Sequence, residues 1–272
     1  MCLNESLELN NGTRMPVLGL GVYKSAEHTK EAVLAALEAG YRHIDVASFY
    51  GNEKEVGEAI RESGIERKDV FVTTKLWNDD MRAGVQREAM VRSLEALGMD
   101  YVDLYLLHWP VAGCYVPSWK ILEELYSEGK AKAIGVSNFQ INHLKDLMAN
   151  SEVVPAVNQI ECHLYLSQEP VRDYCRQQGI RVTAWAPLGR TRVFEEPVIQ
   201  KLAAEYGRTP AQIILRWEIQ SGIIVIPKSV HRERIIANSR IFDFQLKPED
   251  MAKMDGLNKD ERFGPSPDTF DF

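Results

Sequence analysis

Short apolar runs alternate with stretches of helical periodicity from about residue 17 to residue 240. Several runs are apolar at consecutive positions, 101–107 most clearly, which is typical of parallel strands covered by helices on both faces. The segments between them repeat apolar residues at i, i+3 and i+4, as amphipathic helices do. Eight strands are predicted, at 17–20, 43–46, 70–76, 101–107, 133–136, 157–161, 181–185 and 223–226.

One of the predicted helices begins with a specific capping signal. Thr209 precedes Pro210 and stands three residues before Gln212, an arrangement that predicts a capping box with proline in the first turn. Eight strands in βα alternation predict an α/β fold, a (β/α)8 TIM barrel within one domain over residues 1–272. We also expect a short N-terminal β-hairpin, a C-terminal helix and a tail. On the alternation alone, an open doubly wound sheet remains the alternative.

Polar or aromatic residues stand at or near the ends of successive predicted strands. In a closed parallel barrel the C-terminal ends of all strands converge on one mouth, where active sites lie. Such residues at equivalent positions in successive units favour a barrel with an active site at that mouth. They are Asp45, Lys75, His108, Ser137, Gln159, Trp185 and Lys228.

Composition and charge narrow the function classes. Of the 272 residues, 45% are hydrophobic and 26% are charged, as in ordinary globular proteins. The net charge of −7 argues against nucleic acid as the main partner. No stretch approaches about 18 uninterrupted apolar residues, so no membrane span is predicted. The four cysteines form no CxxC pair and residues 1–13 do not resemble a signal peptide, which together predict reduced thiols and a cytoplasmic location.

Several common catalytic motifs are missing from the sequence. The glycines at 19 and 21 are followed by Lys24 where a dinucleotide fingerprint has its third glycine, so no Rossmann motif is present. Neither a P-loop nor a G-x-S-x-G elbow occurs. The six histidines lack metal-site spacing, and no H-E-x-x-H is present, so we expect no catalytic metal.

The motifs that are present resemble those of the aldo-keto reductases. They occur in order along essentially the whole chain, from Leu7 to the C-terminal tail, which makes the set highly specific. The closing segment 262–265 is similar to a microbial branch that contains diketogluconate reductases and protozoal prostaglandin F synthases. The matching segments are GYRHID at 40–45, YGNE at 50–53, TTKLW at 73–77, LHWP at 107–110, IGVSNF at 134–139, NQIE at 158–161 and IPKS at 226–229.

The resemblance implies carbonyl reduction, a reaction that needs a hydride at carbon and a proton at oxygen. A phenol has a pKa near 10, which is too high for it to exchange protons freely near neutral pH. As a proton donor, Tyr50 therefore needs a neighbouring group that stabilises its phenolate form. An ammonium beside the phenol lowers its pKa, and a carboxylate beside the ammonium holds that charge in place. Tyr50, Lys75 and Asp45 match the family's residues for these three roles. His108 matches the residue that orients the substrate carbonyl and assists proton transfer.

The resemblance also implies NADP(H) as cofactor, with the nicotinamide at the barrel mouth. Trp185 would stack on the nicotinamide ring, while Ser137, Asn138 and Gln159 would bind its carboxamide. A buried tryptophan in a strand is usually part of the core, so the role of Trp185 depends on the resemblance.

Positive charge is expected at the phosphate end of the cofactor. Arg190 is a plausible contact of the pyrophosphate, and Lys228 with Arg234 forms the basic cluster expected at the 2′-phosphate. That cluster in an acidic protein is the reason to expect NADPH over NADH. The remaining expected cofactor residues are Gly21, Val22, Tyr23, Leu188, Gly189, Ser229, Val230 and Asn238.

The expected partner is a small carbonyl substrate bound by a monomer. Tyr23, Trp77 and Trp109 would line its site together with Tyr50 and His108, and the rims would be residues 110–117 and 263–272. The sequence does not choose among sugar-derived dicarbonyls, methylglyoxal and aromatic aldehydes. Two other functions stay open: a nicotinamide-binding sensor subunit with little turnover, and a non-redox barrel lyase or isomerase.

Overall fold

The computed structural model of the chain describes residues 5–272, so Cys2 lies outside the described residues. The described part begins with a hairpin of two antiparallel strands, β1 (Ser6–Glu8) and β2 (Arg14–Pro16), which confirms the expected N-terminal hairpin. Leu9 and Met15 of this hairpin pack against Phe71, Leu104 and Leu106 of the barrel strands. The hairpin therefore closes the N-terminal end of the barrel with apolar side chains.

Eight parallel strands follow, and each pairs with its neighbours in chain order. The first and last are joined by parallel bridges between Leu18 and Val225 and between Gly21 and Lys228. This closure makes the sheet a barrel, so the open-sheet alternative is wrong. The strands are β3 (Leu20–Gly21), β4 (His43–Asp45), β5 (Phe71–Leu76), β6 (Leu104–Leu107), β7 (Ile134–Ser137), β8 (Val157–Glu161), β9 (Arg181–Trp185) and β10 (Ile224–Val225).

The helices lie between the strands and after the last one, with the expected C-terminal helix before the tail. The predicted capping box is confirmed, since Gln212 N–H donates to Thr209 Oγ1 at 3.2 Å and Thr209 N–H donates to Gln212 Oε1 at 2.9 Å. The helices are α1 (Thr29–Glu38), α2 (Glu53–Glu62), α3 (Asn78–Ala83), α4 (Gln86–Leu97), α5 (Tyr115–Ser127), α6 (Ile141–Ala149), α7 (Glu169–Gln177), α8 (Pro197–Tyr206), α9 (Pro210–Gln220), α10 (Arg232–Ser239) and α11 (Pro248–Asp255).

Two predicted strands begin three residues later in the structure than expected. The predicted first strand at 17–20 becomes Leu20–Gly21, although Val17 and Gly19 still exchange backbone hydrogen bonds with Val225. The predicted fourth strand at 101–107 starts only at Leu104. Its beginning is displaced because the Asp103 carboxylate, rather than a strand carbonyl, accepts the Val72 N–H at 2.9 Å.

Within residues 5–272, no helix combines the length and the apolar character that crossing a membrane requires.

Candidate active site

A cleft of about 790 Å³ opens at the C-terminal ends of the barrel strands. Most residues expected at the site line it, including those for catalysis, for the nicotinamide and for the substrate. Lys75 lies just below, buried completely. The expected residues found in its walls are Gly21, Tyr23, Asp45, Tyr50, Trp77, His108, Trp109, Ser137, Asn138, Gln159, Trp185, Leu188, Arg190 and Lys228.

A buried ion pair forms the floor of the cleft. Lys75 at the end of β5 and Asp45 at the end of the neighbouring β4 lie 2.6 Å apart, Nζ to Oδ1, with side chains 0% and 2% exposed. The Lys75 ammonium also donates to the carbonyl oxygen of Val46 at 2.9 Å. A buried charge without a partner is strongly destabilising, so each of the two residues requires the other.

Tyr50 reaches this pair from a short helical turn directly after β4. The turn, Ser48–Tyr50, ends at Gly51, whose φ of 67° lies in the left-handed region that glycine adopts without strain. Ser48 Oγ donates to the carbonyl oxygen of Lys75 at 3.0 Å and thereby fixes the turn against β5. The Tyr50 hydroxyl consequently lies 3.4 Å from Lys75 Nζ.

The electrostatics of Tyr50 differ from the expectation drawn from the sequence. Burial raises the pKa of Tyr50 well above its usual value, and electrostatic interactions with Asp45 and with Tyr23 raise it further. Burial lowers the pKa of Lys75, and Asp45 opposes that effect. The expected lowering of the Tyr50 pKa by the ammonium is thus not found, because desolvation and Asp45 outweigh it. Tyr50 is a neutral phenol at physiological pH, which is the form that carries a proton to donate.

His108 follows β6 and faces the same space as Tyr50. Its ring lies edge-on to Trp77 and Tyr50, with centroids 5.1 and 5.9 Å apart. Burial, together with the Lys75 ammonium, lowers the pKa of His108 well below its usual value. The imidazole is therefore neutral and carries one N–H as a hydrogen-bond donor.

Four polar side chains around the floor form a network that the sequence did not predict in this form. Gln159 Nε2 donates to Asp45 Oδ2 at 2.6 Å, and Ser137 Oγ donates to the carbonyl oxygen of Gln159 at 2.8 Å. Asn138 Nδ2 donates to the backbone of His108 at 3.0 Å, and Trp185 Nε1 donates to Asn138 Oδ1 at 2.8 Å. Gln159 therefore holds the Asp45 carboxylate, in addition to its expected place beside the nicotinamide.

The tail packs behind Trp185. The buried Glu161 carboxylate accepts hydrogen bonds from the backbone N–H groups of Phe263 and Gly264 at 2.7 and 3.1 Å. Burial raises the pKa of Glu161, but hydrogen bonds from His163 and from these two N–H groups lower it more. A Cβ on Gly264 would lie 2.5 Å from the Trp185 ring, so only glycine allows this approach. Sequence reasoning missed Glu161 because its strand position gives no local sign of a partner about a hundred residues away.

Of the expected basic cluster, Lys228 lines the cleft and Arg234 does not. Lys228 is exposed in its wall, and Arg234 is exposed on α10 without an ion pair or hydrogen bond to any residue within 5–272. Arg232, by contrast, is paired with Glu38 at 2.5 Å. Arg190 projects from a backbone with φ of 50°, in the left-handed region that strains a residue other than glycine.

Six residues expected to contact the cofactor do not line the cleft. Arg234 is described above, and the side chain of Val22 is buried in the hydrophobic core while its N–H donates to the carbonyl of Asp45 at 3.1 Å. Ser229 Oγ accepts the N–H of His231 at 3.1 Å. Gly189, Val230 and Asn238 complete this group.

The described residues contain no group of three or more His, Cys, Asp and Glu side chains placed to hold a metal ion.

Comparison with known proteins gives consistent matches over almost the entire chain. Residues 17–259 match the aldo/keto reductase family. Glyoxal reductase of Bacillus subtilis (strain 168) is 48% identical over 98% of this chain and 97% of its own. Methylglyoxal reductase DkgA of Escherichia coli (strain K12) is 45% identical, covering 97% of both chains. The crystal structure of an aldo-keto reductase from a Medee basin deep-sea metagenome library has a TM-score of 0.96 and 44% identity, covering 98% of this chain and 100% of the other.

Proposed function

This chain belongs to the aldo/keto reductase family, and on that premise we propose that it reduces small aldehydes and ketones to alcohols with NADP(H). The observation that carries the proposal is the position of the Tyr50 hydroxyl, 3.4 Å from the buried Lys75 ammonium and facing the cleft beside His108. A structural ion pair alone would not need a neutral phenol beside it in the lining of a cleft. Tyr50 is the proton donor in this proposal.

The proton transfer follows from the charges around Tyr50. As the carbonyl is reduced, negative charge develops on its oxygen, and the Tyr50 proton moves to that oxygen. The phenolate that remains is stabilised by the Lys75 ammonium, which Asp45 keeps charged and in place. Solvent then returns a proton to Tyr50. A neutral His108 imidazole donates a hydrogen bond to the same carbonyl oxygen and polarises it.

The residues that line the cleft and its positive charge support a nicotinamide cofactor. When bound, the dihydronicotinamide supplies the hydride to the carbonyl carbon. Trp185 offers an aromatic face at the floor of the cleft, close to Asn138 and Gln159. Lys228 in the wall of the cleft and Arg234 on α10 make no ion pair with any residue of 5–272, and both are available for a phosphate dianion. This free positive charge supports NADPH as the preferred cofactor.

The walls on the substrate side are aromatic and apolar. Trp77, Trp109 and Tyr23 suit small substrates with a reactive carbonyl and a compact apolar body. The relatives named glyoxal reductase and methylglyoxal reductase make small dicarbonyls the first class to test. The expected monomer is supported by the fact that one chain supplies every proposed catalytic residue, and the expected cytoplasmic location by the free thiols of Cys114, Cys162 and Cys175.

The direct test is steady-state oxidation of NADPH by the purified protein with methylglyoxal, 4-nitrobenzaldehyde and a ketone. We expect carbonyl-dependent oxidation, with the alcohol formed in equal amount to the NADPH consumed. NADPH binding without consumption would support a sensor subunit instead. If the protein neither bound nor consumed NADPH, a non-redox barrel enzyme would be the better description.

A further inference from the structure

The aromatic ring of Phe272 closes the substrate side of the cleft. It lies parallel to the Trp77 ring, with a centroid distance of 6.1 Å and an angle of 7°, and nearly perpendicular to Trp109 at 5.1 Å. Trp109 directly follows His108, and Trp77 is two residues beyond Lys75, so the Phe272 ring faces the space where a substrate carbonyl would sit. The Phe272 side chain is nevertheless 40% exposed, unlike a core residue.

Two side chains of the short helix α3 hold the backbone of Phe272. Asn78 Nδ2 donates to its main-chain oxygen at 3.1 Å, and Arg82 Nη2 donates to the same oxygen at 2.8 Å. Arg82 also forms an ion pair with Asp79 one turn earlier, at 3.0 Å, which restricts its side chain. A charged donor makes the stronger of such hydrogen bonds, so Arg82 contributes most to this attachment.

The tail was expected to form a rim of the substrate site; we propose that Asn78 and Arg82 act as a latch on that tail, and that by positioning the Phe272 ring they limit which substrates enter. The inference rests on the proposed carbonyl reduction and adds a limit on substrate bulk at the same site. With the latch formed, the ring fills the space between Trp77 and Trp109 and admits only compact carbonyl compounds. Arg82 touches no reacting atom and is a positioning residue that acts through Phe272.

The exposed ring of Phe272 is held in place through its own backbone. A half-exposed phenylalanine held only by apolar contacts would exchange readily between positions at the rim. Hydrogen bonds from two side chains to one backbone oxygen restrict those positions at a point adjacent to the ring. The arrangement therefore makes a surface arginine on α3 control the size of a cavity that it does not itself line.

The test compares two aldehydes of different bulk, 4-nitrobenzaldehyde and 2-naphthaldehyde. Phe272→Ala is expected to shift the ratio of kcat/KM toward 2-naphthaldehyde by about tenfold, the order expected for a change in the volume of an apolar pocket. Arg82→Ala should shift it in the same direction by a smaller factor, through KM rather than kcat, and Arg82→Lys should restore part of the preference. In the Phe272→Ala background, Arg82→Ala should have no further effect on the ratio.

Arg176→Ala is the matched control, because Arg176 forms the same type of ion pair one turn after Asp173 on the surface of α7, at 2.9 Å. It should leave the ratio unchanged. An unchanged ratio in Phe272→Ala, or equal shifts in Arg82→Ala and Arg176→Ala, would overturn the proposal.

Hydrogen exchange of the tail, followed by mass spectrometry, tests the latch without any turnover. Residues 266–270 form a turn in which Phe270 N–H donates to the Ser266 carbonyl at 3.0 Å. Arg82→Ala should accelerate exchange in peptides that cover residues 266–272, whereas Arg176→Ala should not. If wild type reduced neither aldehyde, the proposed function would fail while this exchange still decided whether the latch exists. Unchanged hydrogen exchange of the tail in Arg82→Ala would show that the latch does not exist.

Discussion

The side chain of Gln159 donates a 2.6 Å hydrogen bond to Oδ2 of Asp45, the carboxylate oxygen that Lys75 does not use. The two residues come from opposite parts of the barrel, β8 and β4, and both are almost completely buried. Asp45 is thus held at both oxygens, which fixes the direction in which the Lys75 ammonium points toward Tyr50. In the proposed mechanism, Gln159 would act as a positioning residue for the proton-transfer group, in addition to its expected cofactor contact.

Gln159→Met should weaken this arrangement while conserving side-chain volume. An unsatisfied buried oxygen on Asp45 is expected to cost about 1–3 kcal/mol of unfolding free energy. Because Asp45 orients Lys75, kcat measured at saturating NADPH should also fall, by about tenfold. Denaturant unfolding and steady-state kinetics measure the two effects.

Gln86→Met provides the control for that variant. Gln86 on α4 is also buried and donates to Ser118 Oγ at 3.0 Å, and neither residue lines the cleft. It should lose stability and keep its kcat. If both variants kept the same kcat, the positioning role of Gln159 would be wrong.

Tyr50→Phe removes the proposed proton donor and only one hydroxyl from the fold. We expect kcat to fall by about three orders of magnitude, within the range for loss of a general acid, with the NADPH dissociation constant nearly unchanged. Tyr105→Phe is the control, because the buried Tyr105 hydroxyl has no hydrogen-bond partner among residues 5–272. That variant should be fully active. Retention of more than about a tenth of wild-type kcat in Tyr50→Phe would remove Tyr50 from the role.

The sequence was sufficient for the barrel and for the set of residues at its mouth. The strand ends at Asp45, Lys75 and His108 follow from periodicity, and the barrel then brings them together without further information. The hydrogen bond of Gln159 and the attachment of Phe272 to Arg82 were not predicted. Both join residues more than a hundred positions apart, and nothing local in the sequence indicates the partner.

The expectation for the pKa of Tyr50 was incorrect for a similar reason, because the effect that decides it is not visible in the local sequence. The sequence indicates an ammonium near the phenol, and that interaction alone would lower the pKa. How far the ring is removed from water depends on packing across the cleft, where Tyr23 lies 4.9 Å away, centroid to centroid. Desolvation of this kind has no local pattern in a sequence, so only the folded structure could give the sign.

Because His43 is buried, we expect the fold to lose stability in mild acid. It is fully buried below Asp45, and burial lowers its pKa from 6.5 to about 4. Between these values the unfolded chain binds a proton that the folded chain does not, so stability is fully present above pH 6.5 and falls as the pH drops toward 4. The loss amounts to about 3 kcal/mol.

Denaturant unfolding between these two pH values measures the slope. His43→Asn should reduce the dependence of stability on pH, whereas His28→Asn, which changes a histidine with an exposed side chain, should leave it unchanged. An identical slope in wild type and His43→Asn would show that other groups cause the acid sensitivity.

Arg234→Ala tests the proposed preference for NADPH. Arg234 is exposed on α10 and has no ion pair with any residue in the described range 5–272, whereas the nearby Arg232 is already paired with Glu38. A charge-assisted contact to the 2′-phosphate is worth roughly 1.5–3 kcal/mol, so its loss should weaken NADPH at least tenfold, at about 1.4 kcal/mol per decade. NADH lacks that phosphate and should lose much less affinity, although an arginine that stacks on adenine would contribute to the binding of both cofactors.

Dissociation constants from quenching of tryptophan fluorescence give the ratio of NADPH to NADH affinity, with Arg232→Ala as the control that should change neither constant by much. Equal losses for the two cofactors in Arg234→Ala would show that Arg234 does not bind the phosphate, and the preference would then have to come from Lys228.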